Sequence, residues 1–574
     1  MERVKKLLSI LLINAIFITM LQAENFTKTD NNITVQLKHH FKKKRKTLLK
    51  QISNKRFIRN FYYKQGYQPL WLDQKGLKKQ KYQNLFSHIT NDLTLNPHGY
   101  LLKATRLLKK DLENNITKEE LFRTEIKLTS LYYDFLKHTI YGEILWKNFS
   151  RKLHNLKRHR VNAHWVKKRP KFNMISLISN PDINSSIEKV LPKNFGYDKL
   201  IHALEKLHEI KVDGEWSKLP YFKILKKGST GEVVLQLRER LKISKDYISC
   251  ENNSSNDQNS SSTQDSNSSI KEKHIDPNAI FGICLEKAVK HFQQRHGLTV
   301  DGIVGGGTQK ALNVSVDSKI KTVLLNIDRI KWLPRQEDKR YLIVNLPEFM
   351  LYYLQDTKVH KKLRVIIGDK KHPTPIFSQK ISYIVLNPYW KIPEGIVRRE
   401  VIPAMIRNRN YLKKQGIVAH RTWNENSRII NVRNLYWEQY LWRGVKFPYR
   451  LMQPPGPRNA LGKIKFKFPN RFAVYLHDTP ARHLFKKDVR AFSHGCVRLS
   501  QPKSLLESIA LFNKNINLKR ANKILVGKRK VQYNIKNKLP IYIIYLTAGM
   551  NSDGELEFRN DIYQYDKLMK RSLK

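Results

Sequence analysis

Cys496 stands in the segment RAFSHGCVRLS (490–500), with Ser493, His494 and Arg498 around it and Gly495 directly before it. His477 lies 19 residues upstream, after an apolar run from Phe472 to Leu476 that reads as a strand. A cysteine nucleophile needs thiolate character, a base to take its proton and donors for the oxyanion. A strand-borne His477 can face Cys496 across a sheet as general acid/base. The backbone N–H groups around His494, Gly495 and Cys496 can form an oxyanion hole, and Gly495 permits the turn that exposes them. Arg498 adds positive potential, which lowers a thiol pKa and can hold a substrate carboxylate. Two other readings compete. Free cysteine is often a small core residue, although the Ser-His-Gly and Arg neighbours argue against that. Cys496, His494, His477 and His483 could hold zinc, but no HExxH occurs and carboxylate partners are scarce apart from Asp478. No metal and no cofactor are expected.

Strands must carry such a site. KRYLIVNLPEFMLYYLQD (339–356) reads as two β runs with a Pro turn between them, and LRVIIGD (363–369) and KISYIVLNPYW (380–390) as further runs. The stretch near 405–447 is more helical and aromatic, an excursion between strands. KFKFPN (465–470), RFAVYLHDTP (471–480) and PIYIIYLTAGMNSDGELEFRN (540–560) restore β character, with a hairpin at Asp553-Gly554. Residues 55 to about 220 are mainly helical, with a capping box at Thr117 and Glu120 and a loop region at 170–186. In 222–249, Gly228 and Gly231 bracket a turn, and Val234, Leu237 and Leu241 share a helix face. Leu285, Ala288, Val289 and Phe292 form a second such face, and Thr308 can open a third short helix. Between them, 251–273 is Ser/Asn-rich, cannot bury a core and reads as a disordered insert. Cys250 and Cys284 flank it. They either pair in an oxidising compartment or are two small buried residues.

The length of 574 residues implies several domains, and 40% hydrophobic residues supply real cores. Three cysteines exclude a disulfide-stapled scaffold. The N-terminus has the basic, apolar and small-residue pattern of a secretory signal peptide over 1–23, the alternative being an uncleaved anchor. A polar, basic and loose leader is expected over 24–54. Lys and Arg outnumber Asp and Glu by 108 to 48, a formal charge of +60. That excludes an ordinary neutral cytosolic enzyme. The charges are scattered without a nucleic-acid-binding stripe, so no nucleic acid partner is expected. They are either solvated lysines or an attraction to an anionic cell envelope.

LKKGSTGEVVLQLRERL and AVKHFQQRHGLTVDGIVGGGTQKAL resemble the two halves of a small three-helix peptidoglycan-binding domain; a helical spacer without ligand is the alternative. SHGC at 493–496, with Val497-Arg498 after it and His477 before it, resembles the signature of L,D-transpeptidases with a YkuD-type catalytic domain. LMQPPGPRNALGKIKFKFPN (451–470), YLHDTP (475–480), TPIF (374–377), NPYWKIP (387–393) and FYYKQGYQPLWL (61–72) are similar to the large periplasmic YcbB-like branch.

The resemblance implies a multidomain α+β chain: a signal peptide (1–23), the leader (24–54), a mainly helical scaffold (55–220), a three-helix peptidoglycan-binding-like domain (221–315, insert 251–279), and a mainly β YkuD-type catalytic domain (316–574) with an inserted helical cap at about 400–450. It implies an exported periplasmic enzyme in which Cys496 attacks the third-residue carbonyl of tetrapeptide stems and passes the acyl group to an amine, forming 3→3 crosslinks. L,D-carboxypeptidase trimming, or a non-catalytic wall-binding protein, are the alternatives. His477 is the expected acid/base, Gly495 the oxyanion turn, Arg498 the contact for carboxylate or thiolate, and His494 a shaping residue. Asp478 could orient His477. Trp390, Tyr389, Tyr436, Trp437 and Tyr440 could line the donor groove. Stem peptides, glycan strands, carbapenem inhibitors and envelope proteins are the implied partners.

Overall fold

The structure, a computed structural model, describes residues 33–43, 49–50, 52–113, 117–168, 170–247, 276–335 and 338–573. The signal segment, most of the Ser/Asn-rich insert and Cys250 lie outside the described residues. Cys284 is disulfide-bonded and Cys496 is free. Among the described residues no helix is long and apolar enough to cross a membrane.

Helices build the N-terminal third. The longest, Lys118–Tyr141, starts at Thr117, whose hydroxyl accepts the Glu120 N–H while the Glu120 carboxylate accepts the Thr117 N–H. Its buried Glu125 accepts the N–H groups of Leu70 and Trp71 at 2.7 and 2.8 Å and the Tyr62 hydroxyl at 2.6 Å. The aromatic segment 61–72 is thereby pinned to the helix, next to a small ribbon of β1 (Leu72–Asp73) and β2 (Gly76–Leu77).

Two expectations fail here. The leader is not loose throughout: residues 33–43 are helical, because Leu37 and Phe41 repeat at helical spacing and bury in the scaffold core. The loop expected at 170–186 instead holds helices Met174–Ser179 and Ile183–Val190. The polar residues that suggested a loop are their N-caps, Asn173 and Asp182.

Helices Glu232–Ile243, Ile283–Arg295 and Gly306–Leu312 pack around Val234, Leu237, Leu241, Leu285, Val289 and Phe292. Thr308 does not open the third helix. It is buried within it, beside the Gln293 side chain, because Gly305 takes the cap position. Helix Val316–Lys331 then runs through the centre, against helix Tyr197–Val212 on one side and the segment at Thr547 on the other.

The main sheet begins with β3 (Arg340–Asn345), β4 (Met350–Gln355), β5 (Lys358–Gly368) and β6 (Phe377–Leu386). From there the chain leaves to form the cap, whose strands are β7 (Trp390–Lys391), β8 (Val418–His420), β9 (Ile429–Ile430) and β10 (Arg450–Gln453). It returns as β11 (Ile464–Lys467), β12 (Leu476–His477), β13 (Ala491–Ser493), β14 (Val497–Leu499) and β15 (Val531–Ile544). The order is β13-β5-β14-β12-β11-β6-β15-β3-β4, and β4 also pairs with β5, so the sheet closes on itself. Among the described residues, closure leaves only the short β13 of this sheet with a single partner. The cap is not purely helical: the β7-β10-β8-β9 sheet underlies its helices, around Trp437, Val401 and Leu451.

After β15 comes the hairpin of β16 (Ala548–Met550) and β17 (Leu556–Phe558), whose turn contains Asp553 and Gly554. It meets the three-helix domain through polar contacts. Arg295 pairs with buried Asp246 at 2.7 Å and donates to the Leu556 carbonyl at 2.6 Å. His291 lies between Asp246 and Glu555, and Arg559 donates to the Arg295 carbonyl at 2.9 Å.

Candidate active site

Cys496 sits in the turn between β13 and β14. The buried Ser493 hydroxyl accepts the Gly495 N–H at 3.1 Å and donates to the Cys496 carbonyl. Gly495 has φ +104°, a region that side chains other than glycine rarely enter. Gly368, at the end of β5, packs beneath it: a Cβ there would lie 2.0 Å from the His372 carbonyl oxygen and 3.0 Å from the Gly495 Cα. The Gly495 N–H is therefore already taken. Among the described residues the Cys496 N–H makes no hydrogen bond, which leaves it as the donor for an oxyanion.

His477 ends β12, buried. Its Nδ1–H donates to the backbone carbonyl of Asp478, so Nε2 carries the lone pair in the neutral ring. The orienting group is this carbonyl and not the Asp478 carboxylate. That carboxylate accepts the N–H groups of Lys463 and Thr479 and pairs with Arg482.

Register aligns the rest. Lys465 on β11 is the partner of His477, and His477 is the partner of Arg498 on β14. The same row continues through Val385 on β6 to Gln532 on β15. All five line one cavity of about 880 Å³ together with Cys496. Trp390 and Tyr389 line it from the cap side. Tyr436, Trp437 and Tyr440 do not: Trp437 and Tyr440 are core residues of the cap, and Tyr436 points to solvent. His483 is exposed on the turn Arg482–Lys486, away from the cavity, so the four candidate zinc ligands are not brought together. A larger concavity of about 1290 Å³ on the scaffold, lined by Arg56, Tyr63 and Lys137 among others, has neither cysteine nor histidine among its described lining residues.

The electrostatics reverse one expectation. Burial pushes the Cys496 thiol up, against the Tyr475 N–H, Lys465, the Tyr475 hydroxyl and Lys467, which favour the thiolate. Burial and then Arg498 pull His477 down to about 3. Both shifts favour the neutral forms, a thiol and an imidazole lining one cavity, over the low-pKa thiolate expected from Arg498. The Arg498 Nε is buried without a hydrogen-bond partner, and Arg498 lines the cavity. His494 lines the same cavity and pairs with the cap. Its Nε2 is 2.6 Å from Glu400 Oε1 of the cap, and its ring lies 4.8 Å from that of His372.

Tyr475 and Lys465 were not singled out from sequence. The Lys465 ammonium lies 3.9 Å from the centroid of the Tyr475 ring, and burial with Lys467 nearby pushes it down to about 8. The alternation Tyr475-Leu476-His477 was the available signal, since positions two apart on a strand share a face.

Residues 339–528 match the L,D-transpeptidase catalytic domain family, residues 56–204 the family described as "Scaffold domain", and residues 269–312 the one described as "Putative peptidoglycan binding domain". A curated Haemophilus influenzae protein named "Putative L,D-transpeptidase" is 31% identical over 260 residues, which is 45% of this chain and 50% of that one. The chain thus spans about half the length of the curated relative it matches. Among solved structures, an L,D-transpeptidase from Mycobacterium smegmatis aligns over 36% of this chain and 58% of its own, at 11% identity and TM-score 0.17. The LD transpeptidase LdtMt1 in complex with imipenem aligns over 36% and 59%, at 11% identity and TM-score 0.16.

Proposed function

We infer that this chain, which matches the L,D-transpeptidase catalytic domain family over 339–528 behind matches to a scaffold domain and a peptidoglycan-binding domain, is an acyl-transfer enzyme of the cell envelope with Cys496 as nucleophile. The observation that carries this reading is the His477 ring, fixed through Nδ1 with Nε2 unspent, in the same cavity as Cys496. His477 Nε2 takes the thiol proton as sulfur attacks the carbonyl of the third residue, a diaminopimelate, of a tetrapeptide stem. The Cys496 N–H donates to the oxyanion. The proton on His477 passes to the departing D-Ala amine, which leaves a thioester. An amine of a second stem then attacks, loses its proton to His477, and the thiol is restored as the 3→3 amide forms. Arg498, with an unpartnered Nε, supplies the contact for the stem carboxylate. The pair need not be an ion pair at rest, because the proton moves with the attack. Carbapenems acylate the same sulfur.

The test is incubation with disaccharide-tetrapeptide muropeptides and mass spectrometry of the products, alongside Cys496→Ala. Dimers joined through third residues and dependent on Cys496 support the reading. Tripeptide monomers alone would replace it with the carboxypeptidase. Neither product, and no adduct with imipenem, would overturn it.

A further inference from the structure

An ion pair joins the cap to the nucleophile turn. Glu400 lies in the π-helical turn Val397–Val401, between Val397 and Val401, which are buried in the cap core. A π turn inserts an extra residue into the helical path and is often found at functional sites. Here it sets Glu400 outward while its neighbours stay anchored. The Glu400 carboxylate meets His494 Nε2 at 2.6 Å, two residues before Cys496. Both side chains line the cavity that holds the thiol. The groups facing this pair are Arg399 of the same turn, Asp369 and His372 of the loop after β5, and Tyr411 at the start of the helix Tyr411–Gln415. Glu400 and Asp369 favour the imidazolium and hold His494 above the ordinary histidine value, against burial and Arg399. His494 in turn holds the Glu400 carboxyl below the usual range, so that partner stays ionised.

We propose that Glu400 is a positioning residue: by holding the protonated His494 it keeps the cap down over the thiol turn and sets how much acyl-enzyme is lost to water rather than passed to an amine. The inference rests on the acyl-transfer reading above. The thioester has two fates. Attack by an amine gives an amide and the free thiol, and attack by water gives a carboxylic acid and the free thiol. A closed cap sheds water and favours the first. The sign with pH is fixed by the histidine. The clasp is complete while His494 is protonated and weakens as pH rises through its raised value.

The experiment uses the full chain, with disaccharide-tetrapeptide as both donor and acceptor, from about pH 5 to about pH 9, the range over which histidine charge changes. The ratio of tripeptide monomer to 3→3 dimer is read for the wild type, Glu400→Gln and Glu400→Asp. Glu400→Gln is expected to raise the hydrolysed fraction several-fold at the acid end, to converge on the wild type at the alkaline end, and to be partly rescued by Glu400→Asp. An unchanged ratio at every pH, in a variant that melts like the wild type, overturns the inference. Hydrogen exchange over 394–407 and 491–498, corrected for the intrinsic rate, separates this from the catalytic reading. Loss of protection in Glu400→Gln supports the clasp even if no muropeptide product forms, and unchanged protection overturns it even if product does form.

Discussion

Lys465 and His477 face each other across the β11–β12 pair, one a half-buried amine, the other a buried imidazole, and Lys465 also lies over the ring of Tyr475. Lys465 favours the Cys496 thiolate, at the cost of its own desolvation. Lys465→Met is expected to slow acylation by imipenem about tenfold, a shift of ~1.4 kcal/mol in the barrier. It is also expected to raise the melting temperature at neutral pH, because the folded state no longer holds a desolvated ammonium. The sign follows from linkage: Lys465 is pulled down to about 8, so the cost is present in full below about 8 and fades as pH rises toward the ordinary lysine value. A variant both slower and less stable would contradict this.

The thiol itself should be sluggish toward a small reagent. Burial pushes Cys496 up, so its alkylation by iodoacetamide is expected to rise with a midpoint above the ordinary thiol value. A plateau already reached at neutral pH would mean that the resting thiolate exists after all.

Asp478 and His477 should separate cleanly. The base is oriented by a backbone carbonyl, so Asp478→Asn is expected to keep kcat within a few-fold and to act mainly on stability through the Lys463 and Arg482 contacts. His477→Ala is expected to lose about 10²- to 10⁴-fold in acylation. Equal losses from the two would give the carboxylate a role in orientation.

Ser493→Ala leaves the Gly495 N–H buried without its partner, a cost of roughly 1–3 kcal/mol. Both the melting temperature and kcat/KM should fall. Gly368→Ala is expected to be worse for activity. Its Cβ drives into the His372 carbonyl and the Gly495 Cα, so the nucleophile turn itself must move. Muropeptide turnover by the two variants, compared at matched folded fraction, checks the order.

Cys496 and His477 were legible because their neighbours in the chain announce them: a lone thiol in a Ser-His-Gly turn and a histidine closing an apolar strand. The helix faces at Val234 and Leu285 were legible for a similar local reason, since periodicity needs no partner. Lys465 was hidden because its meaning comes from register, and a one-residue slip of β11 would turn it out of the cavity. Glu400 was hidden by distance along the chain: the cap brings it back to His494 across more than ninety residues, and no local pattern marks it. The short helices at 174–190 were masked by their own caps, since Asn and Asp signal a loop and a helix start equally well. The low-pKa thiol was expected from Arg498 alone, and burial outweighs it.

The polar seam between the three-helix domain and the hairpin of β16 and β17 has a mechanical corollary. A module on a slack tether sweeps a volume and offers its partner site many stems at modest effective concentration. With Arg295, His291 and Arg559 fastened across the seam, that sweep is gone. A glycan strand gripped by the module would present its stems at one offset from Cys496, met at high effective concentration, with stems at other offsets out of reach. Under the proposed transfer chemistry such a molecule would work as a caliper: the distance between its two jaws, not diffusion along the strand, would select which stem is joined.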